Sequence, residues 1–384
     1  MEAAGALNDL IRSGVLQRPK RGIRLWFGSE IYGSLAFAVD NLQHLNTKTV
    51  ASLMCDDGGG NYDDVAFMPS LVMNPNCCPT FTDALLEMVT RKYYTTYQPQ
   101  RILMTNKYLM ADNLFCDPMI GVPSNWIKMN NGNPLHHNSK DTIDKLDPRS
   151  LRDVSVISAL FLYFAADAGY DDLITLAEIT RDRGMKLLLK KYSELSERVS
   201  DADEGVEFGK LRVEGPETIE YYTDLQIKAL NSIERIIQPG RRDDADTVLA
   251  RYAEKIDALG KTLANNLRVA VDEKAKAGSV KIVKYRKTDG EWEREAETIK
   301  PLRNFAGVYS LLHIPVEEWV EVRGDPHWWG ATSWASASLW WCDGKRNLKE
   351  IKKLCELEAG IPIRNFDLIK YYRFLEKFDM VEFK

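Results

Sequence analysis

Between Leu249 and Leu267 an apolar side chain returns every three or four residues, through Tyr252, Ile256, Leu259 and Leu263. No other feature restricts the fold of this chain as strongly. The spacing winds one apolar stripe along a long helix, and such a stripe must be covered by another helix. Ile219, Tyr222, Ala229, Ile233 and Ile236 recur in the same way. The stretch from Leu173 to about Ala275 is therefore expected to be a helical hairpin or small bundle, its stripes serving mutual packing, with Gly205, Gly215 and Pro239-Gly240 at its turns.

Ahead of that stretch the pattern alternates between two element types. Ala3 to Ile11, Gly33 to Leu45, Phe81 to Tyr93 and Leu151 to Ala166 have helical spacing, whereas Ile23 to Phe27, Thr49 to Met54 and Arg101 to Met104 are short apolar runs. Strands separated by helices imply an α/β fold with a largely parallel sheet flanked by helices. After Gly278 a β-hairpin is expected around Thr288-Asp289-Gly290, followed by a region rich in Trp. The tail has two amphipathic helices, Leu348 to Leu357 and Phe366 to Phe378, and a terminal strand, Met380 to Phe383. Short helices with a β-wing make a C-terminal winged-helix domain. The expected division is residues 1–167, 168–278 and 279–384, which a chain of 384 residues can support.

Charge and targeting signals narrow the function classes. Lys and Arg number 51 against 56 Asp and Glu, a net charge of −5, so no basic field draws in a nucleic-acid backbone or an anionic membrane. The start lacks a basic segment followed by an apolar one, and no apolar run approaches the roughly 18 residues of a membrane span. A cytoplasmic protein without a membrane or nucleic-acid partner is expected. Six cysteines are scattered without a CxxC pair, which suits reduced thiols and does not suit a cysteine-based zinc site.

In an open α/β sheet, ligand groups gather beyond the carboxyl ends of strands. Glu30 follows the run ending at Phe27, Asp56 follows the run ending at Met54, and His137 lies in a polar loop beside His136. A Glu, an Asp and a His arriving from three loops could converge on a cation, a ligand mixture suited to hydrolytic zinc. The alternatives stay open at this level: Glu30 as a helix cap, Asp56 as part of a Gly-rich turn, His137 as a solvated side chain. Gly58-Gly59-Gly60 has neither the spacing nor the following Lys-Ser/Thr of a phosphate loop. His44, near the end of its helix, reads as a surface or capping residue.

Four segments, in this order, resemble the zinc aminopeptidase and glutaminyl-cyclase superfamily: residues 21–34, Met54-Cys55-Asp56, residues 111–123, and His137 to Thr142. Trp340 to Arg346 is similar to the tail of a bacterial aminopeptidase-like branch that carries a winged-helix domain. The resemblance implies two zinc ions and a peptide substrate that loses its N-terminal residue, with a homo-oligomer as an allowed assembly. It maps Glu30, Asp56 and His137 to metal ligands, Glu30 also to the general base, and Asp112 and Asp141 to residues that fix ligand loops. His136 takes the place of a Tyr that helps stabilise the oxyanion in several relatives.

Two departures accompany that mapping. Many relatives carry paired glutamates, whereas Glu30 stands between Ser29 and Ile31. The family's first His and its bridging Asp have no counterpart here, since Asp9 falls within a helix too few residues ahead of Glu30. An α/β domain incomplete at its N-terminus, with weak zinc retention and impaired hydrolysis, is expected. The competing expectation is a non-catalytic regulatory or interaction protein in which the winged helix binds DNA or a partner. Lys345, Arg346, Lys349, Lys352 and Lys353 cluster locally, but basic residues of the tail barely outnumber acidic ones. The same tail could also cover the cleft or mediate dimerisation.

Overall fold

A computed structural model describes residues 1–63, 68–106, 111–129, 138–285, 290–306, 314–315, 317–318, 334–360, 362–363 and 366–384. The chain is mixed α/β, mostly helical, with a small and mostly parallel sheet. It divides into two compact units: one holds Met1–Cys78, Leu86–Asp167 and Asp289–Lys384, the other Pro79–Leu85 and Ala168–Thr288.

In the first unit, α1 (Glu2–Arg12) packs on a later helix, and α2 (Tyr32–Asp40) and α3 (Leu42–Lys48) replace the single helix expected over 33–45. Asn41 makes the break: its backbone and side-chain N–H groups both donate to the Phe37 carbonyl, at 3.0 and 2.9 Å. The sheet comprises β1 (Ser52–Cys55), β2 (Ser70–Val72), β3 (Met104–Asn106) and β4 (Ser124–Lys128), in the order β1-β4-β2-β3. β1 runs parallel to β4 and β2 parallel to β3, while β2 and β4 are antiparallel. α4 (Phe81–Tyr97) lies between β2 and β3 in sequence, and α5 (Pro148–Asp167), whose Ile157 and Phe161 are buried, packs on β1 and β4.

Ile23 to Phe27 is not a strand. An extended segment becomes a strand only when another backbone takes its N–H and C=O groups. No described residue does so here, and Leu25, Trp26 and Phe27 are exposed. The apolar character is used instead for a stack of Trp26 on Phe37, with ring centroids 4.4 Å apart.

The second unit carries the long stripes. α6 (Leu173–Asp201), α7 (Gly205–Asn231) and α8 (Arg242–Ala277) pack on one another. Leu249, Ile256, Leu263 and Leu267 are buried, while Tyr252 and Leu259 flank them half-buried. Gly205 starts a helix as expected, but Gly215 lies inside α7, not at a turn. A Cβ there would come within 2.5 Å of Leu267 Cδ2, so glycine serves close helix approach. Gly260 does the same from α8, where a Cβ would meet Thr223 Oγ1 at 2.2 Å. Gly260→Ala is therefore expected to destabilise by about 1–3 kcal/mol, the overpacking outweighing the better helix propensity of Ala. A urea midpoint equal to or above wild type would contradict this.

The remaining elements belong to the first unit. They are α9 (Glu291–Thr298), β5 (Pro301–Arg303), α10 (Trp334–Leu339), α11 (Leu348–Ala359), α12 (Leu368–Lys377) and β6 (Val381–Phe383). The hairpin expected around 288–290 falls largely outside the described residues, which omit 286–289; Gly290 opens α9. Its N–H donates to Glu293 Oε2 at 2.9 Å, a reach back from the first turn that favours a helix start. Trp319, Trp328 and Trp329 also lie outside the described residues. β5 pairs antiparallel with β6, far apart in sequence. α11 begins with a reciprocal cap, Glu350 N–H to Asn347 Oδ1 and Asn347 N–H to Glu350 Oε2, and ends at Gly360 with φ 73°. No helix of the described residues is long and apolar enough to cross a membrane.

Candidate functional site

The parallel pair β1 and β4 ends with Cys55 beside Ile127, so the next residues, Asp56 and Lys128, come out side by side at the carboxyl ends of two strands. The Asp56 turn is held from the β4 side. Trp126 Nε1 donates to the Asp56 carbonyl at 3.0 Å, and Met129 N–H donates to the Asp57 carbonyl at 2.8 Å. Partial burial pushes the Asp56 carboxyl above its ordinary pKa, and the Asp57 and Asp112 carboxylates add to that rise. The Asp57 N–H, at 2.9 Å, and the Lys128 ammonium pull the other way.

Glu30 sits on an exposed turn before α2, closed by Gly33 N–H to the Ser29 carbonyl at 2.9 Å. Ile31 follows it in left-handed backbone, φ 58°, a strained conformation for a β-branched residue. Asp112 holds that conformation by accepting the Ile31 N–H at 2.7 Å. Asp57, directly after Asp56, is left-handed as well, with φ 56°. Both candidate ligands are thus followed by a strained non-glycine residue, and Asp112 bonds to one turn while acting electrostatically on the other. Strain of this kind costs of order 1–3 kcal/mol and persists where the surroundings hold it.

The first turns of α5 clamp the other end of the Asp56 loop. Asp147 N–H donates to the Gly59 carbonyl at 2.8 Å, Ser150 Oγ to the Gly60 carbonyl, and Tyr62 N–H to Asp147 Oδ2 at 2.9 Å. Arg149 and these backbone bonds hold the Asp147 carboxyl well below its ordinary range. Gly59 lies so close to Leu146, just ahead of α5, that a Cβ would meet Cδ2 at 2.5 Å, and Gly58 faces Val154 of α5, so these glycines serve packing against α5 and its lead-in. Asp153 of α5, fully buried, accepts from the Tyr62 hydroxyl, from Tyr93 at 2.7 Å and from Gln98 Nε2 at 2.8 Å. Burial and that bond push Tyr93 up to about 12.

Of the residues expected at the site, Asp56, Asp112 and the turn carrying Glu30 are brought together. Asp141 is exposed on the segment leading to α5, its N–H donating to the Asn138 carbonyl at 3.1 Å. His136 and His137 lie outside the described residues. Among the described residues, no group of three His, Cys, Asp or Glu side chains could hold a metal ion. These carboxylates supply hard oxygen donors only, and a zinc site would need nitrogen from the 136–137 loop. Lys128 and Trp126 were not legible as candidate site residues, because β4 is buried along most of its length and shows no clear alternation, and Asp153 was not legible because it lies on a helix, where a carboxylate interrupts an apolar pattern. The chain matches no family model, no curated protein and no solved structure.

Proposed function

We propose that the chain is a metal-dependent aminopeptidase-like hydrolase that removes N-terminal residues from peptides. The observation that carries this reading is the pair of strained turns behind Glu30 and Asp56, joined through Asp112 near the end of two parallel strands. Backbone strain held beside a carboxylate whose proton affinity is raised, as at Asp56, is a mark of functional sites. In this reading Glu30, Asp56 and His137 are metal ligands, Glu30 is also the candidate base, His136 neighbours the reacting carbonyl, and Asp141 braces the His137 loop.

The chain's own residues have definite tasks. The carboxylates attract the substrate's α-ammonium, and one of them takes a proton from water as its oxygen attacks the peptide carbonyl. Asp112 keeps the Glu30 turn in place, while Trp126 and α5 keep the Asp56 turn in place. Zinc, when bound, would polarise the carbonyl and acidify water. None of the six cysteines is in a disulfide, which supports a reducing, cytoplasmic setting.

The test is release of N-terminal amino acids by protein dialysed against zinc, with and without a chelator. Chelator-sensitive release, lost in Asp56→Asn, is expected. Release indifferent to both treatments would remove the reading.

A second reading has an observation of its own. α9, α11 and α12 with the β5–β6 pair are the elements a winged helix needs, and such a module binds DNA or a partner protein. A duplex-DNA gel shift that weakens with salt would favour it.

A further inference from the structure

Lys128 is the charged residue at this strand end that the proposed function leaves without a task. Its side chain is 12% exposed, and its Nζ lies 3.6 Å from Asp57 Oδ2. That is longer than a hydrogen bond, so the ammonium has no hydrogen-bond partner among the described residues. The same Nζ lies 4.4 Å from the centroid of the Trp126 ring, and Trp126 is itself the residue that holds the Asp56 carbonyl. The strand register places the lysine beside Asp56. An enclosed cation, held on an aromatic face with no hydrogen-bond partner among the described residues, meets the requirement for stabilising a charge that develops during reaction.

We propose that Lys128 is a catalytic residue that donates a hydrogen bond to the substrate carbonyl oxygen as that oxygen becomes negative. The inference rests on the hydrolase reading and assigns it an oxyanion donor. Water oxygen bonds to the carbonyl carbon, its proton passes to a carboxylate, and the carbonyl π pair moves onto oxygen beside the Lys128 ammonium. That pair then returns, the C–N bond breaks, and the departing amine takes up the proton. Lys128 remains protonated throughout. Its contribution is electrostatic, and it is larger in the tetrahedral state than for the neutral carbonyl.

The test compares wild type, Lys128→Met and Lys128→Arg as full chains supplied with zinc. Calorimetry would measure two probes: leucine amide for the ground state, and the phosphonic-acid analogue of leucine for the tetrahedral anion. Lys128→Met should weaken phosphonate binding by roughly 10²- to 10³-fold and leave leucine amide within about threefold, with Lys128→Arg in between. In turnover the loss should fall on kcat, with KM little changed. Equal phosphonate affinity in wild type and Lys128→Met would overturn the assignment. Wild type that binds neither probe has a different signature, and takes down the hydrolase reading together with the inference. If Lys128→Met fails to fold, Lys128→Gln carries the same comparison.

Discussion

Asp117→Ala should lower the unfolding free energy by about 3–5 kcal/mol, among the largest single-residue effects in the chain. Asp117 and Arg303 are both 4% exposed and meet as a two-point pair, Nη1 to Oδ2 at 2.8 Å and Nη2 to Oδ1 at 2.5 Å. Truncating the carboxylate strands a buried guanidinium whose Nε has no hydrogen-bond partner among the described residues. It also frees the Met119 N–H, which donates to Asp117 Oδ1 at 2.9 Å. Arg303→Met should destabilise by a similar amount. The double replacement Asp117→Leu with Arg303→Met should recover most of the loss, because burying two apolar groups avoids the desolvation that opposes the ion pair. Urea unfolding of the two singles and the double measures the coupling directly. Singles within 1 kcal/mol of wild type would show that water reaches the pair.

The pair lies within a core that extends beyond the C-terminal elements. Cys116 is buried in the same cluster as Trp340, Trp341, Leu348, Cys355, Tyr372 and Leu375, and Cys77 and Cys78 pack against it. Asn76 N–H donates to Glu358 Oε2 at 2.7 Å. α11, α12 and the β5–β6 pair are therefore continuous with the segments around Cys77 and Asp117.

How much was legible followed from the length of each pattern. α8 was readable because its stripe repeats over some five turns, and a helix of that length tolerates individual misreadings. α11 and α12 were readable from their amphipathic spacing. β2 and β4 were not, since three to five residues buried on both sides, with Ser70, Ser124 and Asn125 among them, show no clear alternation. Ile23 to Phe27 misled for the opposite reason: its composition suits a strand, but strand formation depends on a partner that composition does not reveal. Gly215 was read as a turn because local rules treat glycine as a breaker, while its role depends on Leu267 some fifty positions away. Among candidate site residues, Asp56 was legible as the residue that follows a strand. Asp112 was expected from the resemblance to fix a loop, but the group it holds, the Ile31 N–H across 81 positions, is visible only in the fold.

Asp153 was illegible for the same physical reason, and its replacement is the other change with a large expected effect. A carboxylate on the inward face of α5 interrupts an apolar pattern, and only the fold shows why it is tolerated. It is fully buried yet satisfied by two phenols, an amide and Arg152, whose Nη2 lies at 2.8 Å. Asp153→Ala leaves the Tyr93 hydroxyl and the Gln98 amide without that acceptor, at about 1–3 kcal/mol each, for a total of about 3–5 kcal/mol. Arg152→Ala separates the two causes. Its side chain is 57% exposed, so a pair with Asp153 should contribute no more than about 1 kcal/mol, and most stability should remain. Asp153→Asn should fall between, because the amide keeps the volume but turns one oxygen into a donor facing donors. Two local signatures distinguish a hub from general loss of packing. The Tyr93 hydroxyl, raised mainly by burial and secondly by Asp153, should titrate lower in Asp153→Ala while staying above an ordinary phenol. Amide exchange should quicken at Tyr62 and in the segment around Gly59 and Gly60, ahead of the rest of the sheet, because the α5 clamp ends at the Tyr62 hydroxyl. Uniform acceleration across the whole unit, with Arg152→Ala as harmful as Asp153→Ala, would instead assign the effect to the ion pair and leave the Asp56 loop without its anchor.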